Sequence, residues 1–290
     1  CDWSSDVCSS DLTGYFSGTV NFNTDGGTFN ITSAGGIDAF VQKFNSNGIF
    51  LWATNAGGTG ADEGTGISFD NSGNTYTTGR YDSVADFDGS SSVYNLTSKG
   101  NSDIFMLKTD TAGNFVFAKS IGSKLTDVAT SITVSNSKDV FITGFFQDIA
   151  DFNADAGINN LNSKGLTDAF IERLDTSGNY LWATNIGNSG NDKANYITNT
   201  INSKIIVGGY FSKITDLDYT TTGTSNFTSN GSADAFAMQL DNCIGLQSDV
   251  PTLSAASTDI CSIDTAKLYV ASGKLRSAGY WKWYSGSCGG

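Results

Sequence analysis

Aspartate in the pattern Asp-x-Asp is the residue arrangement in this chain best suited to chemistry. It stands at Asp86-Phe87-Asp88 and Asp216-Leu217-Asp218, with the variants Asp151-Phe152-Asn153 and Asn21-Phe22-Asn23. In an extended segment residues i and i+2 share a face, so each copy can turn two oxygens toward one point. Oxygen pairs of this kind suit a hard cation such as Ca2+. Asp86, Asp88, Asp151, Asn153, Asp216 and Asp218 are therefore the candidate metal ligands. A second reading stands beside this one: the copy at Asn21 and Asn23 carries no charge, and Asp and Asn side chains commonly bond nearby backbone in turns. Both readings remain open on the sequence, and no other cofactor is implied.

Catalytic constellations are scarce. The chain has no histidine, which removes Ser-His and Cys-His nucleophile pairs and the commonest general base. Glycosidase-type catalysis needs two acids across a cleft, and of the 29 acidic residues only Glu63 and Glu172 are glutamates. They occupy non-equivalent places in the repeat described below and read as solvated surface residues, so the expectation is a non-catalytic protein. Asp38, Asp103, Asp168 and Asp234 each follow a Gly- or Ser-containing turn and precede a strand, where backbone capping is the expected role. Trp52 and Trp182 can stack on sugars if exposed, but their regular place in an apolar strand points to the core. Asn30, Asn95 and Asn226 open Asn-x-Thr sequons and are read as polar strand-end residues.

Composition narrows the class further. With 290 residues, 39% apolar, the chain can bury a large core, and its many Gly, Asp, Asn, Ser and Thr residues favour strands and turns over helices. A net charge of −13 repels phosphate backbones, so nucleic acid is not an expected partner. No run approaches the roughly 18 apolar residues of a membrane-spanning helix.

The elements that must position these residues repeat with a period of 65. Gly14, Gly79, Gly144 and Gly209 mark it, as do Trp52, Phe117 and Trp182, the glycines at 57, 122 and 187, and Asp62, Asp127 and Asp192. One unit reads as four strands: Ala129 to Ser135, Asp139 to Phe146, and then, in the copy before, Ile104 to Thr109 and Phe115 to Ser120, joined by the turn DTAGN. Gly144 inside the second strand suggests a bulge or a close approach of backbones. A longer polar segment holding the Asp-x-Asp pattern separates the second and third strands. The last strand carries aromatics on one side (Phe115, Phe117) and Val116 and Ala118 on the other, so both faces of the sheet are expected to be covered. Four-stranded antiparallel units apolar on both faces are what packed β-propeller blades require.

The run TGRYDSVADFDGSSSVYNLTSKGNSDIFMLKTDTAGNFVFAKSIG resembles the SBBP-type β-propeller repeat of exported bacterial proteins, Bacteroidetes in particular, over about residues 13–242. The resemblance implies a propeller, export to the surface or exterior, and no established catalytic activity. A segment after Asp-Phe-Asp that often carries Pro in similar proteins reads Gly89-Ser90 here. About 3.5 units are present, the last without its outer strand, so further blades and domains of a longer chain are expected as its partners. Residues 243–250 read as a linker. Residues 251–290, with Cys261 and the strand of Trp281 and Trp283, resemble the first part of a bacterial immunoglobulin-like β-sandwich, in which Cys261 and Cys288 can form a disulfide. Residues 1–12, CDWSSDVCSSDL, resemble the translation of a sequencing adapter and are set apart as an artefact. The expected function is a surface adhesion or ligand-binding scaffold that meets a protein or glycan at its blade ends. The alternatives are an accessory or catalytic propeller of a polysaccharide-degrading enzyme, which carboxylates and exposed aromatics at one mouth would favour, and a rigid spacer.

Overall fold

The computed structural model describes residues 10–200, 204–217, 226–241 and 268–269. They form strands and turns only, arranged as successive copies of one antiparallel unit. Unit 1 contains β1 (Ser10–Phe16), the short strands β2 (Thr19–Asn21) and β3 (Asn30–Thr32), then β4 (Asp38–Phe44) and β5 (Phe50–Gly58). Unit 2 runs through β6 (Glu63–Phe69), β7 (Thr75–Tyr81), β8 (Val84–Asp86), β9 (Asn95–Thr97), β10 (Asp103–Thr109) and β11 (Phe115–Ile121). Unit 3 repeats it with β12 (Val128–Val134), β13 (Asp139–Phe146), β14 (Ile149–Asp151), β15 (Asn160–Asn162), β16 (Asp168–Asp175) and β17 (Tyr180–Ile186). Unit 4 has β18 (Lys193–Asn199), β19 (Lys204–Phe211), β20 (Ile214–Asp216), β21 (Asn226–Thr228), β22 (Asp234–Asp241) and β23 (Leu268–Tyr269).

Each full sheet is an up-and-down meander, in the order β6-β7-β10-β11 in unit 2 and β12-β13-β16-β17 in unit 3. Unit 4 follows with β18-β19-β22-β23, which corrects one expectation: its outer position is taken by Leu268 and Tyr269, paired with Met238 and Ala237. Otherwise the immunoglobulin-like segment, with Cys261 and Cys288, lies outside the described residues. Residues 10–12, set apart on sequence grounds, continue β1 as partners of Gln42, Lys43 and Phe44.

Sheets stack face to face, and the core lies between them. Phe105, Leu107, Tyr81 and Phe87 of unit 2 pack with Ala39, Val41 and Ala56 of unit 1. Ile104, Met106 and Ile121 on the other face of unit 2 pack with Ile132, Val134, Phe146, Phe152 and Phe170 of unit 3. Alternation along β10 thus feeds two cores, as the two-faced apolar pattern demanded, and each buried Phe contributes about 2–3 kcal/mol. This is the all-β architecture of β-propeller blades. Coverage ends near the outer edge: Leu51, Val116 and Leu181 of the last strands are nearly half exposed, so the second face of those strands is covered only at positions such as Ala53 and Ala118. The sequence pattern could not show this, because Val and Leu read alike in a covered and a peripheral strand.

Two backbone details set the geometry. The bulge expected at Gly144 sits opposite it: β12 skips Thr130 between Ala129 and Ser131, and a Cβ at Gly144 would lie 2.0 Å from Val128 O. The long segment between second and third strands is a small hairpin in every unit, unforeseen because three-residue strands carry no periodic signal. The β8–β9 hairpin also pairs with the end of β5 in the preceding unit, through Gly57↔Asp86 and Gly58↔Ala85. Gly122↔Asp151 repeats the link one unit on.

Candidate functional site

The first strands of units 2, 3 and 4 lie side by side and line a groove of ≈ 360 Å³. Its lining comes from three short equivalent runs, Thr65 to Ser68 on β6, Thr130 to Thr133 on β12 and Tyr196 to Thr198 on β18, and none of these residues is charged. Ile67, Ile132 and Ile197 are one period apart and supply its apolar part. Where Gly66 and Ser131 stand in the first two runs the third has Tyr196, which is 60% exposed.

Hydroxyl groups hold the three strands in register. Thr65, the bulged residue of β6, donates to Ala129 O of the next unit at 2.7 Å, and Thr130, bulged in β12, donates to Ala194 O at 2.7 Å. Ser68 Oγ accepts from Val134 N at 3.1 Å, and Ser131 Oγ accepts from Ile197 N at 3.2 Å. The bulge is what aims each threonine sideways, since an extra residue leaves the ladder and points its side chain along the sheet normal to neighbouring backbone. The lining is thus preorganised, neutral and mixed in hydroxyl, aliphatic and aromatic character, and it suits a neutral polar ligand that stacks on Tyr196. None of these residues stood out in the sequence; the signal available was Thr65 and Thr130 at one period, three residues after Asp62 and Asp127.

The candidate metal ligands lie elsewhere, on the small hairpins. Asp86 Oδ1 accepts from the backbone N–H groups of Asp88 and Tyr94 at 3.0 and 2.8 Å. Asp151 Oδ1 does the same for Asn153 and Asn159, and so does Asn21 Oδ1 for Asn23 and Phe29. Asp88 and Asn153 then cap Ser90 N and Asp155 N. An amide oxygen performs this work as well as a carboxylate, which accounts for the uncharged copy in unit 1. Asp216 holds the equivalent place on β20, and Asp218 lies outside the described residues. Among the described residues no group of three or more Cys, Asp or Glu side chains converges as a metal cluster.

Glu63 and Glu172 are not brought together. Glu63 pairs with Arg80 at 2.6 Å, whereas Glu172 corrects its reading as a surface residue: it is fully buried, flanked by Phe170 and Leu174, and neither carboxyl oxygen has a hydrogen-bond partner. Burial pushes its pKa well above the usual range, with Asp155 adding to the rise, so it is held as the neutral acid. Its positions in the other units are Gln42, Leu107 and Met238, and a side-chain position that is apolar twice is one a sequence reading of charge misplaces. Asp38, Asp103, Asp168 and Asp234 cap backbone as expected, accepting from Ala34, Lys99, Lys164 and Asn230 N–H groups. Trp52 and Trp182 pack against the cores of the following units, and Trp52 Nε1 donates to Thr111 O of unit 2 at 3.0 Å.

Comparison with known proteins agrees with this architecture. Residues 51–80, which span β6 and nearly all of β5 and β7, match the SBBP family, described as a β-propeller repeat. The chain is 27% identical over 288 aligned positions to the uncharacterized WD repeat-containing protein L264 of Acanthamoeba polyphaga mimivirus, covering 80% of this chain and 20% of that protein. It is 28% identical over 122 positions to the regulatory protein FlaEY of Caulobacter vibrioides, covering 42% of this chain and 13% of that protein. The chain therefore spans a fifth or less of the curated relatives it matches. A β-propeller repeat is what the family match and the fold have in common. Among the described residues no helix is long and apolar enough to cross a membrane.

Proposed function

We propose that this chain is part of an exported, non-catalytic propeller scaffold that binds a neutral polar ligand, a glycan chain, in the groove across β6, β12 and β18. The observation that carries this reading is the uncharged lining with Tyr196 projecting from it. Sugars are recognised by hydroxyl-bearing walls and an exposed aromatic face, and a groove without carboxylates at its lining lacks the paired acids of glycoside hydrolysis. The match to a WD repeat-containing relative supports a scaffold role at the level of the repeat. Export rests on the likeness of the repeat to those of surface proteins.

The test is a binding screen of the full chain against immobilised neutral polysaccharides, followed by titration calorimetry on any hit with wild type and Tyr196→Ala. Loss of at least tenfold in affinity for the alanine variant, with unchanged melting, is the expected outcome. Ligands bound equally by both proteins, binding only to charged polymers or to proteins, or release of reducing sugar by the purified chain would each overturn the proposal.

A further inference from the structure

Each junction between units contains two buried aspartates placed side by side. The pairs are Asp38 with Asp62, Asp103 with Asp127 and Asp168 with Asp192, and all six side chains are between 0% and 1% exposed. Isolated parallel bridges bring them together: Ile37↔Ala61, Ser102↔Thr126 and Thr167↔Asn191 each join the residues immediately before a pair. The second aspartate of each pair donates its backbone N–H across the junction, to Ile37 O, Ser102 O and Thr167 O at 2.8 to 2.9 Å.

The two members differ in how their oxygens are used. Asp62 accepts from Gly58 N and Asp82 N, Asp127 from Ser123 N and Gln147 N, and Asp192 from Asn188 N and Ser212 N, so both oxygens of each are engaged. Of the first members, Asp38, Asp103 and Asp168 use Oδ2 alone; Oδ1 is buried and has no hydrogen-bond partner in any of the three. That free oxygen lies against Gly57, Gly122 and Gly187 respectively. At the third junction a Cβ on Gly187 would sit 2.8 Å from Asp168 Oδ1 and 2.9 Å from Asp192 Oδ2, so these two oxygens flank one point.

We propose that each pair shares one proton, held between the unpartnered Oδ1 of Asp38, Asp103 or Asp168 and the carboxylate of Asp62, Asp127 or Asp192, and that these three protons clasp neighbouring units together. The arrangement satisfies the unpartnered oxygen and cancels one of two like charges in a buried site.

The titration follows. Burial, with the facing carboxylate adding to it, raises Asp62, Asp103 and Asp192 to about 6, and burial with the Asp148 charge moves Asp127 upward. Burial also raises Asp168. The charged and titratable groups around the pairs are Asp82, Arg80 and Tyr81 at the first, Tyr81, Lys99 and Asp148 at the second, and Lys164 at the third. The acids are raised in the folded state, so the stability they contribute is full below the unfolded value near 4 and is lost as pH rises through about 6. Within that window each pair changes the folding equilibrium by up to tenfold per pH unit.

Asp103→Asn replaces the proton-bearing oxygen with a permanent donor. The unfolding equilibrium of the full chain, measured by denaturant between pH 5 and 8, is expected to be more favourable to the fold at pH 8 in Asp103→Asn than in wild type, and its pH slope shallower by about one proton. Asp88→Asn, which keeps its cap and removes the same charge, serves as the control and is expected to retain the wild-type slope. Infrared spectra of Glu172→Gln, which removes the other buried neutral carboxyl, provide a second readout independent of the pair variants: a protonated-carboxyl carbonyl band is expected at pH 5 and lost toward pH 8. An equal slope in Asp103→Asn and Asp88→Asn, absence of the band at pH 5, or restoration of low-pH stability at pH 8 by CaCl2 alone would overturn the shared proton.

Discussion

Gly48, Gly113 and Gly178 occupy the same place, one period apart, in the turn before the last strand of units 1, 2 and 3, and all three have positive φ, 76°, 85° and 82°. Alanine at any of them meets the same backbone penalty of about 1 kcal/mol. Their surroundings differ. Nothing lies within 4 Å of a Cβ at Gly48, whereas at Gly178 it would stand 2.6 Å from the Phe117 ring of unit 2, and at Gly113 it would stand 2.7 Å from the Trp52 ring of unit 1. The ring must leave its seat, and forced repacking of this kind costs about 1–3 kcal/mol more. Gly48→Ala is therefore expected to lose about 1 kcal/mol and Gly178→Ala about 2–4 kcal/mol, read as the shift in urea midpoint at constant m-value. The cycle with Phe117→Ala adds a check, because the double variant must lose less than the sum of the singles if ring and turn touch. Equal losses at Gly48 and Gly178, or strict additivity in the cycle, would refute the claim that the turn of one unit seats the aromatic of the unit before it.

Two other substitutions follow from the buried and capping side chains. Glu172→Gln removes an acid whose pKa burial raises; its stabilising neutral form is lost as pH rises through that raised value, so the variant is expected to exceed wild type at pH 8 by about 1–3 kcal/mol and to converge with it toward pH 5, measured by thermal melting. Gln42 already fills this place in unit 1, where Nε2 donates to Phe22 O at 2.6 Å. Asp86→Asn is expected to stay within about 0.5 kcal/mol of wild type because the amide oxygen keeps both backbone caps, while Asp86→Ala loses about 1 kcal/mol, as denaturant titrations of the two variants will show.

What the sequence makes legible here is whatever the period multiplies. Gly79, Gly144 and Gly209 recur because the second strand backs closely onto the first, and one copy would have been read as a tolerated glycine. The strands Ala129 to Ser135 and Phe115 to Ser120 stood out through alternation. Three-residue strands such as Val84–Asp86 did not, since they are too short to alternate and are held mainly by Asp86 capping the loop they enclose. The groove escaped notice for a different reason. Thr65 and Ser131 gain meaning only from which unit lies beside them, and adjacency of β6 with β12 is a property of stacking that no local pattern encodes. Glu172 was misplaced because charge is a poor guide to exposure once a carboxyl is neutral.

The junctions are built to one plan, yet their titrating groups are distributed unequally. Units 2 and 3 meet through the Asp103–Asp127 pair and also through the core in which Glu172 is buried among Phe170, Leu174 and Tyr180. Units 1 and 2 place Leu107 at the position of Glu172, and units 3 and 4 place Met238 there. As pH rises, the first and last of these junctions each release the proton of one aspartate pair, while the middle one must also ionise a glutamate with no hydrogen-bond partner in a dry core. Desolvation of a second carboxylate at the same interface makes the unit 2–unit 3 boundary the weakest under alkaline conditions. Below about pH 6 the pairs are protonated, and the aromatic and aliphatic packing of Phe146, Phe152 and Phe170 holds this junction without that penalty. A repeat array with interfaces of this sort opens at a boundary set by solution conditions and not by its ends alone.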